Sequence, residues 1–101
     1  MSHVFIRHKV KNYNNWKQVF DKFVNTRQAG GEKSYSIFHP TDDSNNLYLL
    51  FEWDNLSNAK KFMSSSDLKT AMQNAGVTEA PEIQFLEEVA QGITAPSYAS
   101  V

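Results

Sequence analysis

A chain of 101 residues, 41% hydrophobic and 13% aromatic, can build one core but not two independent ones. Its 10 Lys and Arg against 11 Asp and Glu give a formal net charge of -1, spread without blocks, which argues against nucleic acid or an anionic membrane as partner. With no Cys there is no disulfide framework, thiolate metal site or cysteine nucleophile, and without a signal-peptide core or a long apolar run the expectation is a cytoplasmic protein. From His3 to Val10 the chain alternates, with Val4, Ile6, His8 and Val10 on one face and His3, Phe5, Arg7 and Lys9 on the other, the period of a strand. Asn14 or Asn15 can cap the helix that follows, with Tyr13 as its hydrophobic staple. Trp16, Val19, Phe20, Phe23, Val24 and Arg27 then recur at helical spacing until Gly30 and Gly31 end the element.

Ser34 to His39 reads as a short strand, and the turn-rich stretch PTDDSNN joins it to LYLLFEW, residues 47–53, as a hairpin. Two short helices follow, one capped by Asp54 or Asn55 and carrying Leu56, Ala59, Phe62 and Met63, the other capped by Ser66 or Asp67 and carrying Leu68, Ala71, Met72 and Ala75. Gly76 occupies the left-handed position of a Schellman ending, with Val77 folding back on Met72. After Pro81 a last strand alternates Ile83, Phe85, Glu87 and Val89 with Gln84, Leu86 and Glu88.

The order β-α-β-β-α-β predicts an α+β, ferredoxin-like split βαβ fold: a four-stranded antiparallel sheet in the order 4-1-3-2 with its helices on one face. The domain spans residues 1–89, and the tail 90–101 is expected to fray or to dock on a partner chain through Ile93 and Tyr98. The third strand is apolar on both parities, and Phe5 and Leu86 add apolar area to the face that helices leave open. A homodimer through the sheet faces is therefore expected, with Arg7, Glu52 and Glu88 as an ion-pair set at the contact.

The segments RHKV, YNNWKQVFDKF, DDSNNLYLLFEWDNLSNAKKFMSSSDLKTAMQNAGV and PEIQFLEEV together resemble the dimeric α+β barrel superfamily, close to antibiotic-biosynthesis-monooxygenase-like proteins. The resemblance covers roughly residues 3–89. It implies a dimer and a small-molecule pocket between the sheet and its own helices. In the cofactor-free oxygenases of that superfamily a deprotonated polycyclic phenol reduces dioxygen itself, so a dry pocket and a general base suffice and no cofactor is expected. The heme-degrading branch is disfavoured, because Phe62 and Met72 stand where it carries a Trp and an axial His.

His8 and Arg27 are the candidate catalytic residues. His8 is the one ionisable member of its row and serves as base or orienting group; Arg27 closes the apolar stripe of its helix and can hold an enolate, carboxylate or phenolate oxygen. Glu87, on the corresponding row of the last strand, is expected across from His8, where it would fix the imidazole tautomer. Trp16, Phe20, Trp53, Phe62 and Met72 would line an aromatic pocket for a small aromatic or enolisable ligand. Each also has a structural reading: a hydrogen-bonded core histidine, an arginine bound to a carbonyl or carboxylate, a solvated glutamate, a packed core. His3, His8 and His39 contain no close-spaced ligand pair, so no metal site is expected. The two functional classes left open are a cofactor-free monooxygenase-like enzyme and a non-catalytic ligand-binding or stress-associated dimer.

Overall fold

Alternation along the first strand becomes alternation of burial in the computed structural model, which describes residues 2–95. In β1 (Ser2–Lys9), Val4, Ile6 and His8 are buried while their neighbours are half-exposed or, at Lys9, exposed. The described residues form eight elements, one helix more than expected: β1, α1 (Tyr13–Lys22), α2 (Val24–Gly30), β2 (Glu32–Phe38), β3 (Asn46–Trp53), α3 (Leu56–Met63), α4 (Ser66–Asn74) and β4 (Glu82–Glu87). The antiparallel sheet has the order β2-β3-β1-β4, the arrangement that the split βαβ pattern predicts.

Val4, Ile6, Leu47, Leu49, Phe51 and Trp53 from the central strands form one core with Trp16 and Phe20 of α1 and Ala59 and Phe62 of α3. Trp53, Leu47 and Val4 lose all contact with solvent, and full burial of such side chains stabilises by about 1.5–3 kcal/mol each. The other sheet face carries Phe38, Leu50 and Leu86, which stay 58%, 37% and 41% exposed.

Element ends differ from the sequence expectation for local reasons. The first helix begins at Tyr13, because the Asn12 side chain accepts from the Asn15 N–H and Asn45 Oδ1 accepts from the Tyr13 N–H. Neither Asn14 nor Asn15 is the cap. The single expected helix is two, since Phe23 (φ -88, ψ 4) leaves helical geometry and donates its N–H to Val19 and Phe20. No Gly or Pro marks that break; Phe23 instead packs on Phe62, ring centroids 6.0 Å apart. β2 begins at Glu32 rather than Ser34, through an irregularity in register between those two residues. Asn55 caps α3, and Ser65, not Ser66 or Asp67, caps α4 by accepting from the Leu68 N–H.

The Schellman ending is present: Val77 N–H donates to Met72 O, Gly76 N–H donates to Gln73 O, and Gly76 takes φ 80. β4 stops at Glu87 rather than Val89 because Glu87 pairs with Ser2, where β1 begins. Within one chain Arg7 meets Glu82 at 3.3 Å, and His3 lies 3.9 Å from Glu88. Ile93 is 88% exposed on this chain, and Tyr98 lies outside the described residues.

Candidate functional site

Between the sheet and its helices the core leaves a cavity of about 60 Å³. Rings run along it in contact: His8 edge-on to Trp16 at 5.8 Å, Trp16 stacked on Phe20 at 4.8 Å, Phe20 and Trp53 each against Phe51, and Trp53 against Phe62 at 5.1 Å. Strand alternation aims His8, Phe51 and Trp53 inward, and helical spacing brings Trp16, Phe20 and Phe62 down onto them.

At one end stands His8, only 4% exposed. Neither Nδ1 nor Nε2 has a hydrogen-bond partner in the protein, although one ring nitrogen must donate and the other accept in the neutral imidazole. Pairing between β1 and β4 ends at Arg7 and Glu82, so the ring lies just past the edge of β4. Burial pushes its pKa down to about 4, because a protonated ring would be desolvated without a counter-ion. His8 is therefore neutral at physiological pH.

Arg27 stands at the other end, also 4% exposed. Its Nε donates to Glu32 Oε1 at 2.8 Å, its Nη1 donates to the Phe20 carbonyl, and its guanidinium carbon sits 3.7 Å from the centroid of the Phe20 ring. Gly30 and Gly31 make this closure possible. Gly31 has φ 117, and a Cβ there would meet Asp54 Oδ1 at 2.4 Å and Trp53 Nε1 at 2.7 Å. The Trp53 Nε1–H donates to Gly30 O at 2.8 Å, which ties the turn to the cavity wall. Burial pushes the Glu32 carboxyl up, outweighing the attraction and hydrogen bond from Arg27.

His8, Arg27, Trp16, Phe20, Trp53, Phe62 and Met72 all line this one cavity. Glu87 does not. Its parity agrees with the cavity-facing row, yet the antiparallel register sets it opposite Ser2, at the far end of β1 from His8. Arg27 is bound to Glu32 and Phe20 rather than free for a ligand anion. Glu32 is the site member absent from the sequence reading; its signal was an acid placed directly after the Gly30–Gly31 terminator, within reach of the last helical turn. An imidazole does share the cavity with Met72, but about 60 Å³ is far below the roughly 300–1,000 Å³ of pockets for drug-sized ligands, so the cavity as it stands is too small for a heme macrocycle. Among the described residues no group of three or more metal-binding side chains is placed to hold an ion, and no helix is long and apolar enough to cross a membrane.

No protein-family model and no curated protein matches this chain. Solved structures do. An antibiotic biosynthesis monooxygenase is 16% identical over 89% of this chain and 100% of its own, with a TM-score of 0.68. SnoaB, a cofactor-independent oxygenase from Streptomyces nogalater, is 12% identical over 89% of this chain and 94% of its own, with a TM-score of 0.72. A protein of unknown function from Nitrosomonas europaea is 13% identical over 94% and 95%, with a TM-score of 0.68. Identities this low speak to architecture alone. This chain accordingly shares with these structures the ferredoxin-like α+β fold.

Proposed function

We propose that this protein holds a small planar aromatic or enolisable molecule in the cavity between sheet and helices, with a hydroxyl or carbonyl of that molecule on His8, and that the reaction served is oxygenation without a cofactor. The observation that carries this reading is the His8 ring: two unpaired polar nitrogens buried among aromatic side chains. An unmet buried group costs about 1–3 kcal/mol, and a ligand hydroxyl that donates to one nitrogen, or a carbonyl that accepts from the other, would recover it. A ring with a pKa of about 4 is a weak base, so it suits substrates whose O–H is already acidic, such as enols of dicarbonyl compounds or phenols flanked by carbonyls. Arg27, engaged with Glu32, acts as a fixed wall rather than an anion holder.

The likeness to a cofactor-independent oxygenase supports the reaction class. A second reading, a non-catalytic ligand-binding dimer, draws on the small volume of about 60 Å³ and the internally closed Arg27. Dioxygen consumption with a panel of planar hydroxyquinones and phenols separates the two. Turnover by the wild type that His8→Gln abolishes supports the enzyme; ligand-dependent stabilisation without oxygen uptake supports the binding protein.

The dimer belongs to this proposal as well. Phe38, Leu50 and Leu86 leave apolar area on a mixed outer sheet face partly exposed, which a sheet-to-sheet contact would cover. Leu50→Asp would bury a carboxylate there without a partner, so sedimentation velocity should change from dimer to monomer. A wild-type monomer at micromolar concentration would contradict the dimer.

A further inference from the structure

A groove of about 390 Å³ runs along the outside of α4 towards β4, and three of its lining residues, Met63, Leu68 and Met72, also line the inner cavity. These side chains are thus a one-residue-thick partition with space on both sides. The groove's far wall is apolar, built from Val77, Pro81 and Ile83, with Lys69 and Glu79 also bordering it. On its inner side the partition faces the chamber that holds His8, whose ring lies just beyond the end of the β1–β4 pairing.

The partition is made of parts that can move. Methionine has three rotatable bonds and a polarizable sulfur, so it changes rotamer without loss of contact more readily than a branched residue. The helix that carries Leu68 and Met72 buries no residue fully, unlike α1 and α3. It is also a discrete unit: Ser65 starts it after a break from α3, and Gly76 ends it in a turn pinned by the Lys11 N–H on Gly76 O. Tilting α4 about that pinned end would open the partition at its Met63 side while leaving β1 and β3 in place.

Building on the cavity as the ligand site, we propose that the site has two chambers, the inner cavity at His8 and the groove between α4 and β4, joined when Met63 and Met72 swing aside, and that it takes an elongated, planar, uncharged molecule. Its hydroxyl or carbonyl reaches His8 and its apolar body crosses the methionines into the groove. The groove by itself lies within the volume range of small-molecule sites. Neutrality at the His8 end follows from the inner lining: Arg27 and Glu32 satisfy each other, so a charged group in the inner chamber would be desolvated with no free counter-ion.

The probe is 2-naphthol, a planar phenol uncharged at neutral pH, with 2-naphthoate as its anionic counterpart. Stopped-flow change in the naphthyl emission of the probe itself, excited beyond the tryptophan band, reports entry. Met72→Ala thins the partition and should raise the association rate roughly ten-fold, whereas Ala80→Trp narrows the groove from an exposed position and should lower it by about as much. His8→Gln should weaken equilibrium binding with little change in association rate, and 2-naphthoate should bind at least about ten-fold more weakly than 2-naphthol. Binding by Met72→Ala where the wild type binds nothing also supports a closed partition. Wild-type association rates in both Met72→Ala and Ala80→Trp, with binding still weakened by His8→Gln, would overturn the two-chamber site and leave the cavity reading standing. No binding by the wild type or Met72→Ala would overturn both. Should Met72→Ala fail to fold, the rate in Ala80→Trp decides; equal binding of 2-naphthoate would overturn the neutral-ligand class.

Discussion

Two polar groups interrupt one apolar interior, and the fold treats them in opposite ways. Arg27 is surrounded by answers: a carboxylate, a carbonyl and an aromatic face, all from its own chain. His8 has none. The buried arginine is accounted for by structure alone, as a strut that fixes the turn from α2 into β2 over the Phe20 ring. A buried imidazole with both nitrogens idle has no such account, and that asymmetry is why the chemistry is assigned to His8 and the architecture to Arg27.

Breaking the strut gives the largest expected effect. Arg27→Met leaves Glu32 buried and unpaired, a loss of about 3–5 kcal/mol in urea denaturation, while adding Glu32→Leu should recover most of it, since a well-packed apolar pair can replace a buried ion pair. If the single and double variants were equally unstable, the ion pair would not be the strut.

The His8 end predicts an acid dependence. Unfolded, the ring takes up its proton near 6.5; folded, it does so only near 4. Between those values the unfolded state binds more protons, so stability rises with pH across the window and is lost as pH falls from about 6.5 to 4, with no further loss from this group below. At about 1.4 kcal/mol per pKa unit, the whole loss is about 3 kcal/mol. His8→Leu should remove that dependence and melt higher than the wild type near pH 5; an unaltered melting-temperature profile from pH 7 to 4 would place the titration elsewhere. The smallest effect concerns the turn beneath Arg27. Gly31→Ala forces a positive φ on a residue with Cβ and crowds Asp54 and Trp53, so a loss of roughly 1–3 kcal/mol is expected, with the acid dependence of His8 unchanged.

Much of this was legible in the sequence because it depends on local period. The alternation in Val4, Ile6, His8 and in Leu47, Leu49, Phe51, Trp53 reads out directly as burial, and Gly76 with Val77 forms the helix ending that their order suggests. Alternation assigns a face but not an offset along the strand. It therefore placed Glu87 on the right side of the sheet and at the wrong end of β1, since only the register between strands decides which residues meet. Glu32 was missed for a related reason: its meeting with Arg27 is created by the left-handed turn at Gly31, and a glycine pair announces a turn without saying which side chains it brings together. The break at Phe23 carried no helix-breaking residue at all.

A ligand on His8 is the central claim. Nitrogen-15 NMR of the imidazole, with 2-naphthol titrated into the wild type, tests this at the two atoms concerned. The free protein should show a neutral ring that titrates near 4, and the probe should shift one His8 nitrogen resonance as a new hydrogen bond forms, saturating with the binding curve. Resonances of His8 that stay fixed while the probe saturates, with binding unaltered in His8→Gln, would contradict it.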